Sequence, residues 1–416
     1  MKQVRIGIFG SGSRARQLAE VFLLLGCRIV AVCDTRESET AAMRGLVGEG
    51  LTLYSDFEEF IRHDMDAVVL ANYFHRHAPY AIRCFERGLH VFSECISNGT
   101  MAEGVALVRA HRGSSSLYML AENYPELLVC REIRRVCQGG TLGKLLYAEG
   151  EYNHPADPKN DSFRKMFNYF PEHWRNFLPR TYYITHSLGP VMAATGATPR
   201  RVTAFATAAP TAADAPTASR VTDRAAIVTT QNDDGSIFRV TGCAAFGGHH
   251  NAYRVCGTRG QIENLRGMEN TVMLHYNSWQ VPEGRYEINR YTPEWCDPDE
   301  EIIKGRPGHG GADYLTARTF LDCVRSGTQP PHPFDLHSAV AMSSVAILAH
   351  RSMLEGGTPY DIPDFRREED CLRWENDFAS PFPGEDGTPP TLPCNSDPTY
   401  APTEEQLALY RKSLEE

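Results

Sequence analysis

No block of lysine or arginine runs along this 416-residue chain, no apolar stretch is long enough to cross a bilayer, and none of the twelve cysteines stands in a paired CxxC spacing. Each absence removes a class of function. With 42 Lys and Arg against 52 Asp and Glu, the formal net charge is −10, which argues against a nucleic-acid partner, because phosphate binding needs clustered cations. A membrane span needs about 20 consecutive apolar residues, so no membrane partner is expected. The opening MKQVRIGIFG moves straight into a strand without the h-region of a signal peptide, which leads us to expect a cytoplasmic protein. Cys27 and Cys33 lie in strand-like apolar runs and read as buried reduced thiols. There is no internal repeat, and the length exceeds what one core usually serves, so two domains are expected.

What is present begins at once. VRIGIF is a short apolar run ending in the turn GSGSRA, and QLAEVFLLLG beyond it has helical apolar spacing. Strand, glycine turn and helix form a dinucleotide cradle: Gly10 allows the tight turn, Gly12 the close approach of a pyrophosphate, and Ala15 the packing position. Ser11, Ser13 and Arg14 line that turn and join the cofactor-binding set. The next strand, CRIVAVCD, ends in Asp34, roughly two dozen residues on, where a carboxylate accepts ribose hydroxyls and favours NAD. Arg36 nearby leaves NADP open.

Strands and helices continue to alternate through DAVVLAN, HAPYAIRCFERG and LHVFSE, as in a doubly wound parallel sheet. The run HAPYAIRCFERGLHVFSE, after a strand ending in Asn72, resembles the Gfo/Idh/MocA oxidoreductase family. The resemblance covers about residues 1 to 360. It implies an α/β plus α+β architecture: an N-terminal Rossmann sheet over residues 1–122 and an open-faced, mostly antiparallel sheet domain over 123–361. It also implies NAD as cofactor and adds Asn72, His77, Glu94 and Asn123 to its binding residues. Beyond Asp361 the composition shifts to Pro, Asp and Glu, which marks a Pro-rich C-terminal extension over 362–416.

That family usually ends the strand LHVFSE in Glu-Lys-Pro, whereas this chain reads Glu94, Cys95 and Ile96. The proton-moving lysine is absent, and so are the acid and the histidine of the family's Asp-x-Gly-x-His. Two other pairs stand out. Tyr152 and His154, two apart in the strand-like KLLYAEGEYNHP, share one face. Tyr183 and His186, three apart ahead of a Leu-Gly-Pro turn in TYYITHSLGP, share one side of a helical turn. Together they are similar to the Tyr-x-His and Tyr-x-x-His-x-Leu-Gly-Pro segments of the NAD-dependent α-N-acetylgalactosaminidases, a glycoside hydrolase branch of the same superfamily. The resemblance implies a carbohydrate substrate, transient oxidation at C3, removal of the C2 proton, elimination at the anomeric carbon and recycling of NAD. It assigns His186 and Tyr183 to acid/base work, and His154 and Tyr152 to the oxidised centre. An NAD(P)-dependent sugar or cyclitol dehydrogenase, and a non-catalytic regulator that senses NAD or sugar, remain alternatives.

Substrate-binding candidates lie just upstream in PEHWRNFLPR: Trp174 to stack on a sugar face, and Arg175, Asn176 and Arg180 for its hydroxyls. His309, in GHGGADY, is a further substrate candidate. His249, His250 and His309 beside His154 and His186 match no compact ligand spacing, so no metal is expected. Strands after residue 200 predict a large sheet whose uncovered face suits a homo-oligomer, a dimer or tetramer. TEEQLALYRKSL reads as a short terminal helix, reached through the linker PFPGEDGTPPTLPCNSDP. The extension is expected to wrap the body or a neighbour, or to be a disordered tail.

Overall fold

The computed structural model describes residues 3–155, 174–207, 223, 225–242, 247–305, 309–397, 403–405 and 408. It contains two compact units that interleave along the chain. One comprises Met1–Arg131, Glu294–Ser343 and Asp364–Asp377; the other comprises Glu132–Pro293, Ser344–Pro363 and Phe378–Glu416.

The first unit holds the six-stranded sheet. Strands β1 (Arg5–Phe9), β2 (Arg28–Cys33), β3 (Thr52–Tyr54), β4 (Ala67–Leu70), β5 (His90–Ser93) and β6 (Tyr118–Leu120) lie in the order 3-2-1-4-5-6. All of their pairings are parallel. This is the dinucleotide-binding arrangement, in which the strand order reverses beside β1 and ligands sit at the strands' carboxyl ends. Such strands are covered on both faces and therefore read as unbroken apolar runs, as AVVL of β4 does, with every residue buried. Phe22 and Phe320, from helices Ser13–Leu24 and Ala312–Ser326, enclose Phe92 of β5 at ring separations of 5.3 and 5.2 Å. The late helix thus completes the core of the early sheet.

The second unit is built on nine strands: β7 (Leu145–Asn153), β8 (Pro199–Ala206), β9 (Ala226–Asn232), β10 (Ile237–Gly242), β11 (His250–Gly257), β12 (Gly260–Leu265), β13 (Met268–Tyr276), β14 (Ile288–Tyr291) and β15 (Tyr360–Asp361). Their order is 14-13-12-11-7-10-9-8-15, and the pair β7 and β10 is parallel while the other neighbours are antiparallel. Strand alternation separates two faces. Ala148, Gly150 and Tyr152 of β7 are buried towards helix Thr185–Thr195. On the other face Glu151 meets Arg239, Arg266 and His250, while Glu149 meets Arg254 and Arg239.

The expected Leu-Gly-Pro turn is instead helical: Leu188, Gly189 and Pro190 lie inside helix Thr185–Thr195. The expected terminal helix falls mostly outside the described residues. Among those residues no helix is long and apolar enough to cross a membrane, and eleven cysteines are thiols, nine of them buried.

Candidate active site

Candidate residues fall in both units. In the first, Gly10 has φ +86°, and a Cβ there would lie 2.5 Å from the Ala71 carbonyl oxygen. Both conformation and space therefore demand glycine. Gly12 differs. It is extended at the start of helix Ser13–Leu24, and a Cβ there would meet only an Arg36 nitrogen at 3.8 Å. The protein's own packing does not need glycine at this position, whereas a phosphate approaching the backbone would. No side chain caps this helix start, so its first N–H groups and dipole suit an anion. The turn fits a dinucleotide.

Asp34 sits at the end of β2 with its carboxylate engaged. The Ser11 backbone N and hydroxyl donate to it at 2.8 and 3.1 Å, and Arg36 donates from its backbone N at 3.0 Å and from Nε and Nη2 at 3.2 Å. Burial alone would raise its pKa, but these hydrogen bonds hold it below the usual carboxylate value. Both the backbone N–H and the hydroxyl of Ser11 are thereby engaged by Asp34. A carboxylate can accept about four hydrogen bonds, but a ribose must share these oxygens with Arg36.

Arg14 also faces inward. Its Nε donates to Glu94 at 2.7 Å and its two terminal nitrogens to Asp313 at 2.8 Å. Asp313 further accepts from Asn123 Nδ2 at 2.7 Å and contacts His309 Nδ1 at 3.0 Å. Burial pushes Asp313 upward, but Arg14 and His309 outweigh it and hold the carboxylate far below its ordinary range. His77 is buried, with Nδ1 2.7 Å from the Ile96 carbonyl oxygen, and burial lowers its pKa. It braces the Glu94–Ile96 turn. Asn72 Nδ2 donates to the Arg76 carbonyl at 3.0 Å.

In the second unit the four predicted rings converge. Tyr152 lies 5.0 Å from His186, 5.9 Å from Tyr183 and 5.6 Å from His154, and Tyr183 lies 5.3 Å from His186. His249 extends the group at 4.7 Å from His154. His154 follows the last residue of β7 rather than lying within it. Ser13 opens helix Ser13–Leu24 in the other unit.

Glycines allow this convergence. A Cβ on Gly150 of β7 would lie 2.0 Å from the Ser187 carbonyl oxygen, and one on Gly242 of β10 would lie 1.9 Å from that of Arg180. The segment 180–187 can therefore lie directly on two parallel strands. Ser187 Oγ donates to the Thr241 carbonyl at 2.6 Å, and Thr241 Oγ1 accepts from the Tyr152 backbone N at 3.1 Å. Pro190 has no N–H to give the carbonyl four residues back, that of His186. The Tyr253 hydroxyl supplies the donor at 2.7 Å, so the motif's proline frees a carbonyl that a neighbouring strand then uses to hold the His186 backbone.

Burial, with the positive fields of His249, His186 and Arg175, pushes His154 down to about 4. It is neutral near pH 7. Trp174 is buried with the Arg175 guanidinium 4.4 Å from its ring centre, and Arg175 also lies 6.0 Å from the Tyr183 ring. Arg180 Nε donates to the Asp223 carbonyl at 2.9 Å. The Asn176 side chain and residues 171–173 lie outside the described residues. His309 belongs to the first unit, where it meets Asp313. Sequence reasoning missed Asp313, Thr241 and Tyr253. Asp313 alone left a signal, standing four residues after His309 at a helix start.

Residues 131–371, more than half of the chain, match the family model described as Glycosyl hydrolase 109, C-terminal domain. The chain belongs to the glycosyl hydrolase 109 family. Residues 4–121 of this family 109 enzyme match the oxidoreductase family with an NAD-binding Rossmann fold, and NAD is its cofactor. The chain is 27% identical over 422 residues to a glycosyl hydrolase family 109 protein of Saccharopolyspora erythraea, covering 93% of this chain and 87% of the relative. A Streptomyces niveus family 109 protein is 27% identical across 94% of this chain and 81% of its own length. Among solved structures, levoglucosan dehydrogenase in complex with NADH and levoglucosan superposes with a TM-score of 0.72 at 16% identity, covering 87% of this chain and all of that one. The myo-inositol 2-dehydrogenase of Lactobacillus plantarum gives 0.65 at 18%, covering 87% of this chain and all of its own. At such identities the likeness concerns the fold.

Proposed function

We propose that this family 109 enzyme cleaves a glycoside or related sugar derivative by transient oxidation at C3, removal of the C2 proton and elimination of the anomeric substituent, with NAD recycled. The observation that carries the reading is the cluster of Tyr152, His154, Tyr183 and His186, two phenols and two imidazoles within 6 Å of one another along its chain of contacts. Bound NAD supplies a reversible acceptor for the hydride at C3. Gly10, Gly12 and the open helix start at Ser13 would hold its pyrophosphate, and Asp34 its adenosine ribose.

The protein's own groups then manage protons. His186 and Tyr183 share the acid/base work: one base takes the 3-hydroxyl proton, and once C3 is a ketone and the adjacent C–H is acidified, a second removes the C2 proton. Tyr152 and His154 bind and polarise the C3 oxygen. A His154 that stays neutral until about pH 4 donates a hydrogen bond to that oxygen without presenting a full charge. The anomeric substituent leaves with a proton from the acid/base pair, water adds across C1 and C2 with a proton returned to C2, and the hydride then returns to C3 as its oxygen regains a proton, which closes the cycle. No oxocarbenium ion needs flanking, so the carboxylate pair of ordinary glycosidases has no task. Trp174, Arg175, Asn176 and Arg180 are assigned to sugar contacts, and His309 to the substrate from its place beside Asp313.

The test is a panel of aryl glycosides with catalytic NAD+. Leaving-group release without accumulation of NADH is expected. NADH rising in proportion to an oxidised sugar would instead indicate a dehydrogenase, and nucleotide binding without turnover a regulator. The breadth of the nine-stranded sheet supports a homo-oligomer as part of the proposal, to which a cytoplasmic location belongs as well; light scattering that finds only monomer at micromolar concentration removes the oligomer from it.

A further inference from the structure

We propose that residues 378–397, which lie beyond the family match ending at 371, are a positioning element that fixes Tyr183 in the ring cluster by gripping the turn Arg180–Tyr182. The inference rests on the proposed role of Tyr183. Three separate contacts support it, all within the second unit.

The first is aromatic. The Tyr182 ring is fully buried, edge-on to Phe382 at 5.2 Å and to His350 at 5.8 Å. Its neighbour Tyr183 meets Tyr152 and His186 instead. One tyrosine of the pair anchors and the other works. The second contact runs through His350, whose Nε2 donates to the Pro393 carbonyl at 2.8 Å, so the extension also holds the ring on which Tyr182 rests. The third runs through Asp223. Its carboxylate accepts from the Ser396 backbone N at 2.9 Å and hydroxyl at 2.6 Å, while its carbonyl accepts from Arg180 Nε at 2.9 Å.

The extension is itself braced. Thr391 and Leu392 donate backbone N–H groups to the Ser380 carbonyl at 2.9 and 3.1 Å, and Thr391 Oγ1 accepts from the Ser380 N at 2.8 Å, closing the loop between them. On the opposite side, Gly242 brings β10 against the Arg180 carbonyl, to which the Tyr183 N also donates at 3.3 Å. The turn carrying Tyr183 is thus held between the sheet and the extension. Loosening either partner shifts the phenol, and displacement by about 1 Å of a group in a reacting constellation can cost a hundredfold in rate.

The test uses three variants of the full chain. Phe382→Ala is expected to lower kcat on an aryl glycoside about tenfold or more, with KM within about twofold of the parent. It should also move the 13C-histidine NMR signal of His186, assigned with His186→Gln. Phe382→Tyr, which keeps the ring, should restore both. Ser396→Ala should act in the same direction, more weakly, and carries the test if Phe382→Ala does not fold. Folded variants with parental kcat and an unmoved His186 signal would overturn the proposal, as would activity lost only in proportion to the unfolded fraction. If the parent releases no leaving group from any glycoside, the proposed function fails while the NMR signal still decides the positioning role.

Discussion

The cofactor region of the first unit is built of locked charges, and the candidate catalytic region of the second is built of rings. Asp34 is tied to Arg36, and Glu94, Arg14, Asp313 and His309 form a chain of ion pairs and hydrogen bonds. Asp34 and Asp313, held this way, stay ionised and keep their shape, which suits binding. Tyr152, Tyr183, His154 and His186 instead sit ring against ring, with the Tyr152 backbone held by Thr241 and the His186 backbone by Tyr253. The proposed division of labour is binding by fixed charge and catalysis by groups able to exchange protons.

The comparison breaks most sharply at His186. Replacing it with alanine is expected to lower kcat by about a thousandfold, the scale of a lost general acid/base, while NAD affinity measured by calorimetry stays within about twofold. A comparable loss of NAD affinity would contradict the division. Next come the two glycines. Gly12→Val should weaken NAD binding about a hundredfold with no change in melting temperature, because only a bound phosphate would fill that space. Gly10→Val should instead destabilise the apoprotein by several kcal/mol, since its Cβ would enter the Ala71 backbone.

Acid offers a subtler probe. Unfolded, His154 takes up a proton near 6.5; folded, it resists until about 4. Its contribution is therefore fully present above pH 6.5 and declines as the pH falls from there to about 4. His154→Gln should flatten the stability profile across that window by roughly 1 to 3 kcal/mol, read from urea midpoints. His350, also pushed down to about 4 by burial, keeps its own slope there. Arg36→Ala should have the smallest effect on stability, under about 1 kcal/mol, because that arginine is substantially exposed.

Local chemistry made much of this legible. The glycine turn, Asp34 and the alternating runs specify the Rossmann sheet, because each signal lies within a few residues of the structure it forms. Spacing also paired Tyr152 with His154 and Tyr183 with His186. What spacing could not express is that Gly150 and Gly242 bring the two pairs together, since that depends on the parallel pairing of β7 and β10, strands some 90 residues apart. The same limit hid Asp313, which meets Arg14 across 299 residues. The Leu-Gly-Pro motif misled for another reason. Proline and glycine usually mark a turn, but here the carbonyl freed by Pro190 finds the Tyr253 hydroxyl, and the helix continues.

The central claim is best tested at one carbon. The enzyme, with catalytic NAD+, should release the leaving group of an aryl glycoside in deuterated water and return a sugar carrying deuterium at C2, detected by NMR. Release of the same leaving group with hydrogen fully retained at C2 would contradict the account.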